Sequence, residues 1–494
     1  MAPPTFRVER DPLGEVRVPS RAYYGGQTAR AVHNFPISGL TAPAPLIAAT
    51  ILIKKAAAEA NRDLRRLAPA VARSIVTAAD DILNGRMLEQ FVVDVYQAGA
   101  GTSHNMNANE VLANRAGELL GDRLGSYARV HPNDHVNMGQ STNDVYPTAT
   151  RLAILFVLKE LLASARALST SLAKKSREFG KILKTGRTHL QDAVPMTLGQ
   201  EFGGYAANIA QAADDLERTA VQLYELNLGA TAVGTGLNAG DDYTRKAVAY
   251  LARYTGLRLR TASNSFRVTQ SMGDVVAYSG ALRRLALEAS KVASDLRLLS
   301  MGPRAGIAEI ELPAVQPGSS IMPGKVNPSV AEMVNQVCCQ VFGCDAAILA
   351  AGNEGQLELN VMMPVIAWNA LHATTILARA LAVFDTYCVR GIKADAARAR
   401  ELLDRSTAVA TALSPHIGYA RTAEIAKLSV ASGRPIREIV QEQKLMPDDA
   451  LKALLSPEAM TTPGRPGVAS GLKARRKRGR TLGRTVTPKG RRTK

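Results

Sequence analysis

The chain has 494 residues, 46% hydrophobic and 21% charged, with a formal net charge of +18. That length can bury a large core and suggests two to four domains, and the balance of residues is that of a soluble globular protein, not a disordered or fibrous one. No uninterrupted apolar run reaches about 18 residues, which argues against a membrane span, and Met1 to Asp11 lack the apolar stretch of a secretory signal.

In chain order, Arg7–Arg10 and Val16–Val18 alternate as short strands would. The rest of 1–142 mixes helix and loop. Beyond it prolines become rare: none falls between Pro147 and Pro195, or between Pro195 and Pro303. Leu152, Leu155, Leu158 and Leu162 recur at helical spacing, which predicts a first long helix over Arg151–Leu183. Such a helix would run about 50 Å at 1.5 Å per residue. Further long helices are expected over Gln200–Leu228, Met272–Leu299, Val330–Ala351 and Asn360–Val389. Breaks fall at the glycines of 229–240 and in 302–328. Five long helices imply a bundle. Many of their positions are small, such as Ala206, Ala207, Ala210, Ala277 and Ala281, which lets helices approach closely.

Cys338, Cys339 and Cys344 fall in the fourth long helix and Cys388 at the end of the fifth. Their spacing is not that of a zinc site, so they read as buried, reduced thiols, which fits the cytoplasm. A small helical cap follows, with helices expected at Asp395–Ser406, Tyr419–Ser432, Ile436–Gln443 and Leu455–Met460. The domain expectation is therefore 1–142, a central bundle over 143–396, a cap over 397–464 and a tail over 465–494. The tail holds twelve Lys or Arg and no Asp or Glu, leaving +6 for residues 1–464. Its composition does not offset the entropy of ordering, so it reads as disordered. Its charge suits weak, salt-sensitive binding to nucleic acid.

The chemistry-bearing stretches are polar loops. There is no Walker loop, no Gly-x-Ser-x-Gly elbow and no metal-spaced Cys/His cluster. Residues 318–328 read Gly-Ser-Ser-Ile-Met-Pro-Gly-Lys-Val-Asn-Pro, which supplies two hydroxyls, a cation and an amide on a segment that cannot be helical. Ser141-Thr142-Asn143 stand at a helix start, where hydroxyls usually cap and free N–H groups attract anions. Thr188-His189 read as part of a loop between helices. Together these groups form a kit for gripping a small dianion and stabilising charge that builds on its carboxylate.

The 318–328 loop resembles the signature loop of the aspartase/fumarase superfamily. Four more blocks match the superfamily in the same order: Gly99–Glu110, Asn137–Asp144, Gly186–Phe202 and Gly229–Asn238. The resemblance spans about 6–467. It implies a predominantly all-α, three-domain fold whose central five-helix bundle joins those of other copies in the shared core of a homotetramer. It also implies active sites shared between three subunits. Ser319 would take the proton beside the β-carboxylate. Thr102, Ser141, Thr142, Thr188 and His189 would bear the resulting enediolate, with Glu332 paired to His189. Lys325 and Asn327, beside Ser320, would hold the other carboxylate, and Asn143 would lie at the leaving group. No organic cofactor and no metal ligand are implied, and activation by a divalent cation is left open.

Three choices resemble the aspartase branch more than the fumarase branch: Ser141-Thr142-Asn143-Asp144, Thr188-His189-Leu190-Gln191-Asp192 and Gly229-Ala230-Thr231. They imply reversible deamination of L-aspartate to fumarate and ammonia. The alternatives are hydration of fumarate, or a non-catalytic tetrameric scaffold with a polyanion-binding tail. One departure stands out: Asn360-Val361-Met362-Met363-Pro364 has Met363 where aspartases usually carry Glu.

Overall fold

A computed structural model describes residues 5–464. The basic tail at 465–494 lies outside the described residues. An antiparallel hairpin opens the chain, β1 (Phe6–Asp11) paired with β2 (Gly14–Pro19). Then come α1 (Gly26–Asn34), α2 (Ala44–Asp63), α3 (Pro69–Leu83), α4 (Thr102–Leu119) and α5 (Thr142–Glu178). A second hairpin, β3 (Leu183–Thr188) and β4 (Gln191–Thr197), separates α5 from α6 (Leu198–Ala220). Next are α7 (Asp241–Thr255), α8 (Ser265–Gln270), α9 (Gly273–Leu299), α10 (Ser329–Asn353) and α11 (Met363–Tyr387). The chain continues with α12 (Ala396–Arg405), α13 (Ala410–Ile417), α14 (Tyr419–Ser432), α15 (Ile436–Glu442), α16 (Asp448–Leu454) and α17 (Pro457–Thr461).

The chain divides into two compact units. The first takes residues up to 173 together with 205–300 and 312–392; the second takes 174–204, 301–311 and 393 onward. In the first unit, α9, α10 and α11 pack side by side. The α9 face that makes this possible runs Tyr278, Leu282, Leu285, Ala289, Val292 and Leu296, all buried and three or four residues apart. α10 and α11 are each long and apolar enough to cross a membrane by length and composition, yet each packs on its neighbours in the bundle. A separate core joins α2, α3 and α4 through Ile51, Ile75, Ile82, Val111 and Leu112. The second unit has its own core of Leu183, Leu403, Leu413, Ile425, Ile439 and Leu454.

All five expected long helices form, with shifted ends. The first begins at Thr142, nine residues ahead of Arg151, and so carries Pro147 in its interior. Proline lacks the N–H that would bond the carbonyl of Asn143. That carbonyl instead accepts from Asn227 Nδ2 (3.1 Å). Asn227 is fully buried, and its Oδ1 accepts from Arg151 (3.3 Å) and Thr148 (3.3 Å). Arg151, itself 0% exposed, completes the lattice with a 2.6 Å ion pair to Asp274 of α9.

The first long helix also ends early. It stops at Glu178, and Leu183, read as its last residue, opens β3 instead. The second long helix stops at Ala220. Cys339 is exposed, whereas Cys338, Cys344 and Cys388 are buried as expected. α13 and α16 had no strong periodic signal. Met363 is fully buried at the start of α11, where a carboxylate would require a partner.

Replacing Asn227 with Leu keeps the volume but strands the Asn143 carbonyl and part of the Arg151 guanidinium. We expect a loss of about 1–3 kcal/mol for each buried group left unpaired. Urea unfolding of Asn227→Leu against the parent checks this, and an unchanged midpoint would refute it.

Candidate active site

The helix-start group is built from the bottom of α5. Ser141 accepts the N–H of Asn143 on its hydroxyl (3.2 Å), while Asp144 Oδ1 accepts the N–H of Ser141 (3.0 Å). Together the two bonds satisfy N–H groups at the helix start much as a capping box does. Asp144 is fully buried, and its other oxygen takes the N–H groups of Gly229 (3.0 Å) and Thr231 (3.0 Å). Asn143 adds a bond from Nδ2 to the carbonyl of Ala232 (2.8 Å). Thus 141–144 and 229–232, two separate blocks of sequence, form one piece of structure. Thr102 opens α4 and is exposed, with its hydroxyl toward Gly99 O (3.3 Å). Three residues on, Asn105 Nδ2 donates to Thr142 Oγ1 (3.1 Å), which links the α4 start to the α5 start.

Polar residues not singled out in the sequence lie beneath this surface. Lys54, Asn105, Asn109 and His104 are buried, and Asn137 is half-buried. Their signal was there in part: Lys54 and Lys55 interrupt the mainly apolar run Ile47–Ala58, and a buried lysine needs polar company. Burial lowers the Lys54 ammonium to about 7 and raises the Asp144 carboxyl to about 7, and their mutual attraction opposes both shifts. His104 sits against Thr50 (3.0 Å). The Thr50 hydroxyl donates to Leu46 O, so the His104 ring is assigned as the Nε2–H donor.

Thr188 and His189 belong to the second unit and do not lie on an interhelical loop. Thr188 ends β3, and His189-Leu190 form the two-residue turn to β4. Both turn residues have positive φ, 55° and 58°. This is the primed hairpin turn that normally calls for Asn-Gly. Side chains there cost about 1–2 kcal/mol per residue, a strain that persists only where the surroundings impose it. The hairpin is anchored within its unit: Arg187 pairs with buried Glu309 (2.9 Å), as does buried Lys184 (3.2 Å). His189 and Thr188 are exposed, and Leu190 is 74% exposed.

The third group is the 318–328 loop of the first unit. Ser319 Oγ accepts two backbone N–H groups, from Ile321 (3.3 Å) and Met322 (3.0 Å). Asn327 Nδ2 closes the loop base on Gly318 O (2.7 Å). A Cβ at Gly318 would lie 2.2 Å from Lys325 O, so glycine is required for the loop to double back. Ser320 and Lys325 are exposed; Asn327 and Glu332, in the first turn of α10, are half-buried. The hydrogen bonds described for 318–328 stay within 316–332. Within the first unit, this loop and the 141–143 group are therefore separate clusters.

Residues 14–343 match the Lyase family and 409–462 the Fumarase C C-terminus family. The chain belongs to the aspartase/fumarase superfamily. An aspartate ammonia-lyase from a Bacillus species is 46% identical over 458 residues, 93% of this chain and 98% of its own length. One from Pseudomonas aeruginosa is 49% identical over 92% of this chain and 97% of its own. A class II fumarate hydratase from Neisseria meningitidis is 47% identical over 92% and 99%. Among solved structures, a fumarate lyase:delta crystallin from Brucella melitensis superposes with a TM-score of 0.89 at 48% identity, covering 93% of this chain and all of that one. A class II fumarase from Schistosoma mansoni gives 0.89 at 36%, with the same coverage. The superfamily makes this chain a lyase of mainly helical, fumarase-type fold.

His104 yields a test of the polar layer under the superfamily's helix start. Burial, with Lys54 adding to it, holds the imidazole down from its ordinary 6.5 to about 4. Between those values the unfolded chain binds a proton that the folded chain refuses. Stability should therefore fall as pH drops through this window, by at most about 3 kcal/mol from this group. In His104→Gln the pH dependence of unfolding between 6.5 and 4 should be correspondingly flatter. Identical slopes for variant and parent would show that His104 is not held neutral.

Proposed function

We propose that this lyase is an aspartate ammonia-lyase that reversibly converts L-aspartate to fumarate and ammonia. The observation that carries the elimination is the Ser319 hydroxyl, whose oxygen takes N–H donors from Ile321 and Met322. A serine hydroxyl is a very poor base, and donors aimed at its oxygen are what an alkoxide needs. Lys325, six residues along the same loop, adds positive charge.

Ser319 then removes a proton from the carbon beside the β-carboxylate. The electron pair moves into that carboxylate, giving an enediolate. Thr102, Ser141, Thr142, Thr188 and His189 bear its charge, with Glu332 holding the imidazole of His189. The enediolate collapses, the C–N bond breaks, and the ammonium departs as neutral ammonia. Fumarate remains, and the proton rests on Ser319. Ser320, Lys325 and Asn327 hold the other carboxylate, and Asn143 lies beside the leaving group. Leaving ammonia requires no new proton, whereas leaving hydroxide requires an acid. Leu190, apolar and at the turn beside His189, suits the first better than the second. Base, donors and clamp all come from the polypeptide, so the reaction as written calls for no organic cofactor.

The second reading, hydration of fumarate to malate, uses the same base and grips. It draws support from the hydratase-named relative at 47% identity. Release of fumarate, followed by its near-ultraviolet absorbance, separates the two: it should accumulate from L-aspartate and not from L-malate. Ser319→Ala should lower the rate by at least about 10²–10⁴-fold, the usual weight of a positioned base. Turnover of malate alone would move the assignment to the hydratase, and near-normal activity in Ser319→Ala would remove the serine base.

The reading includes a homotetramer whose sites draw on three chains. Thr102, Thr188, His189, Ser320 and Lys325 are exposed on the single chain, and so are the apolar Ile321 and Val326 of the loop. Surfaces of this kind suit contact with another copy. The two inactive variants Ser319→Ala and His189→Ala should therefore regain activity when mixed under subunit exchange. No recovery despite demonstrated exchange would count against shared sites. The twelve cations of 465–494 carry none of these motifs and suit weak, salt-sensitive association with polyanions.

A further inference from the structure

Lys54 lies on α2, 0% exposed, in a run whose other buried members between Ile47 and Ala58 are apolar except for Thr50. Burying an ammonium costs several kcal/mol, so packing alone favours an apolar residue here. The ammonium donates to Asn137 Oδ1 (2.9 Å) and Gln140 Oε1 (2.9 Å). Asn137 Oδ1 also accepts from Asn105 Nδ2 (3.3 Å) and Asn109 Nδ2 (3.2 Å). Asn105 Nδ2 turns its second donor to Thr142 Oγ1 (3.1 Å). Three hydrogen bonds thus lead from a buried cation to a hydroxyl at the helix start.

Their directions matter more than their number. An amide side chain can present oxygen or nitrogen to a neighbour, and rotating it exchanges donor for acceptor. In its charged form Lys54 accepts no hydrogen bond, so it compels Asn137 and Gln140 to turn their oxygens inward. With its oxygen committed, Asn137 admits only the nitrogen of Asn105. Asn105 must then donate to Thr142. A threonine hydroxyl that accepts there keeps its own proton free to donate elsewhere, and a carboxylate gaining charge needs such a donor. Asp144, two residues from Thr142, holds the same helix start by accepting the N–H of Ser141. Its negative charge and the positive charge of the Lys54 ammonium attract each other inside the cluster.

We propose that Lys54 is a positioning residue that, through Asn137 and Asn105, commits the Thr142 hydroxyl to donate to the substrate carboxylate. This rests on the reading of 141–143 as the carboxylate grip. Lys54 touches no substrate. Its effect is felt in the transition state, where the donor from Thr142 matters most.

The test is coupling. Lys54→Met keeps length and apolar bulk but frees the amides to rotate. Asn105→Leu breaks the relay while leaving the ammonium with Asn137 and Gln140. Each should lower kcat by about 10–100-fold, with a smaller change in KM, since a donor aimed at developing charge is worth up to about 10²–10³ in rate. In a Thr142→Val background both effects should vanish to within about twofold, because residues acting through one group are not additive. Circular dichroism and sizing of each purified variant show that it is folded and assembled. Full-sized losses that persist in the Thr142→Val background overturn the proposal, as does a wild-type kcat in Asn105→Leu. The latter variant decides the matter if Lys54→Met does not fold. The coupling is read on whichever of L-aspartate or L-malate the parent consumes. A wrong substrate assignment therefore appears in the parent, and a wrong relay appears in the cycle.

Discussion

A buried carboxylate that must be satisfied organises the centre of the first unit. Asp144 is sealed from solvent, and an isolated charge there would be untenable. It is made tolerable by three backbone N–H groups, from Ser141, Gly229 and Thr231. Those same groups would themselves be costly if unpaired. The requirement is mutual, so the start of α5 and the 229–231 segment have to meet. Gly229 answers a second demand of the same junction. Its φ is +89°, and a Cβ there would fall 2.0 Å from Thr244 Oγ1. Two polar motifs far apart in sequence are thereby fused into one rigid surface that presents Ser141, Thr142 and Asn143.

One helical turn further, the same logic explains how proline can sit inside a 37-residue helix. Pro147 removes one backbone donor, and Asn227 supplies it from the side. Asn227 is held in turn by Arg151, and Arg151 by Asp274 on α9. The long helices of the bundle are therefore registered against one another by a few directional bonds, while burial along faces such as Tyr278–Leu296 supplies most of the energy. In each unit the chemistry-bearing groups stand at helix starts, on loops and in turns. Within the second unit, the strained His189-Leu190 turn is borne by a hairpin anchored through Glu309. In the first, the Ser319 loop is bonded chiefly to itself. Polar loops bonded mainly within themselves suit a reaction that must grip a small dianion and release it.

The helical bundle could be read from residue spacing, because a buried helix face writes a 3.6-residue period directly into the chain. Leu152, Leu155, Leu158 and Leu162 are an example, and all five long helices form where such periods run. The polar motifs were legible for a related reason: runs such as 137–144 and 318–328 are too polar and too interrupted by Gly and Pro to serve packing. What the sequence could not state was each motif's partner. Pro147 pointed to a later helix start, since the donor that replaces its N–H comes from Asn227, 80 residues away. The His189-Leu190 hairpin had no Asn-Gly to announce it, because its turn is imposed by paired strands and not by local preference. Lys54 carried only the weak signal of one of two adjacent cations, Lys54 and Lys55, in a mainly apolar run. Periodicity and composition are local properties, and the sequence by itself determined whatever follows from them: the long helices, their breaks and the identity of the polar loops. Hydrogen bonds between buried groups are satisfied across the fold, so only the tertiary structure decided where α5 begins, how His189 is turned and which side chains stand behind Thr142.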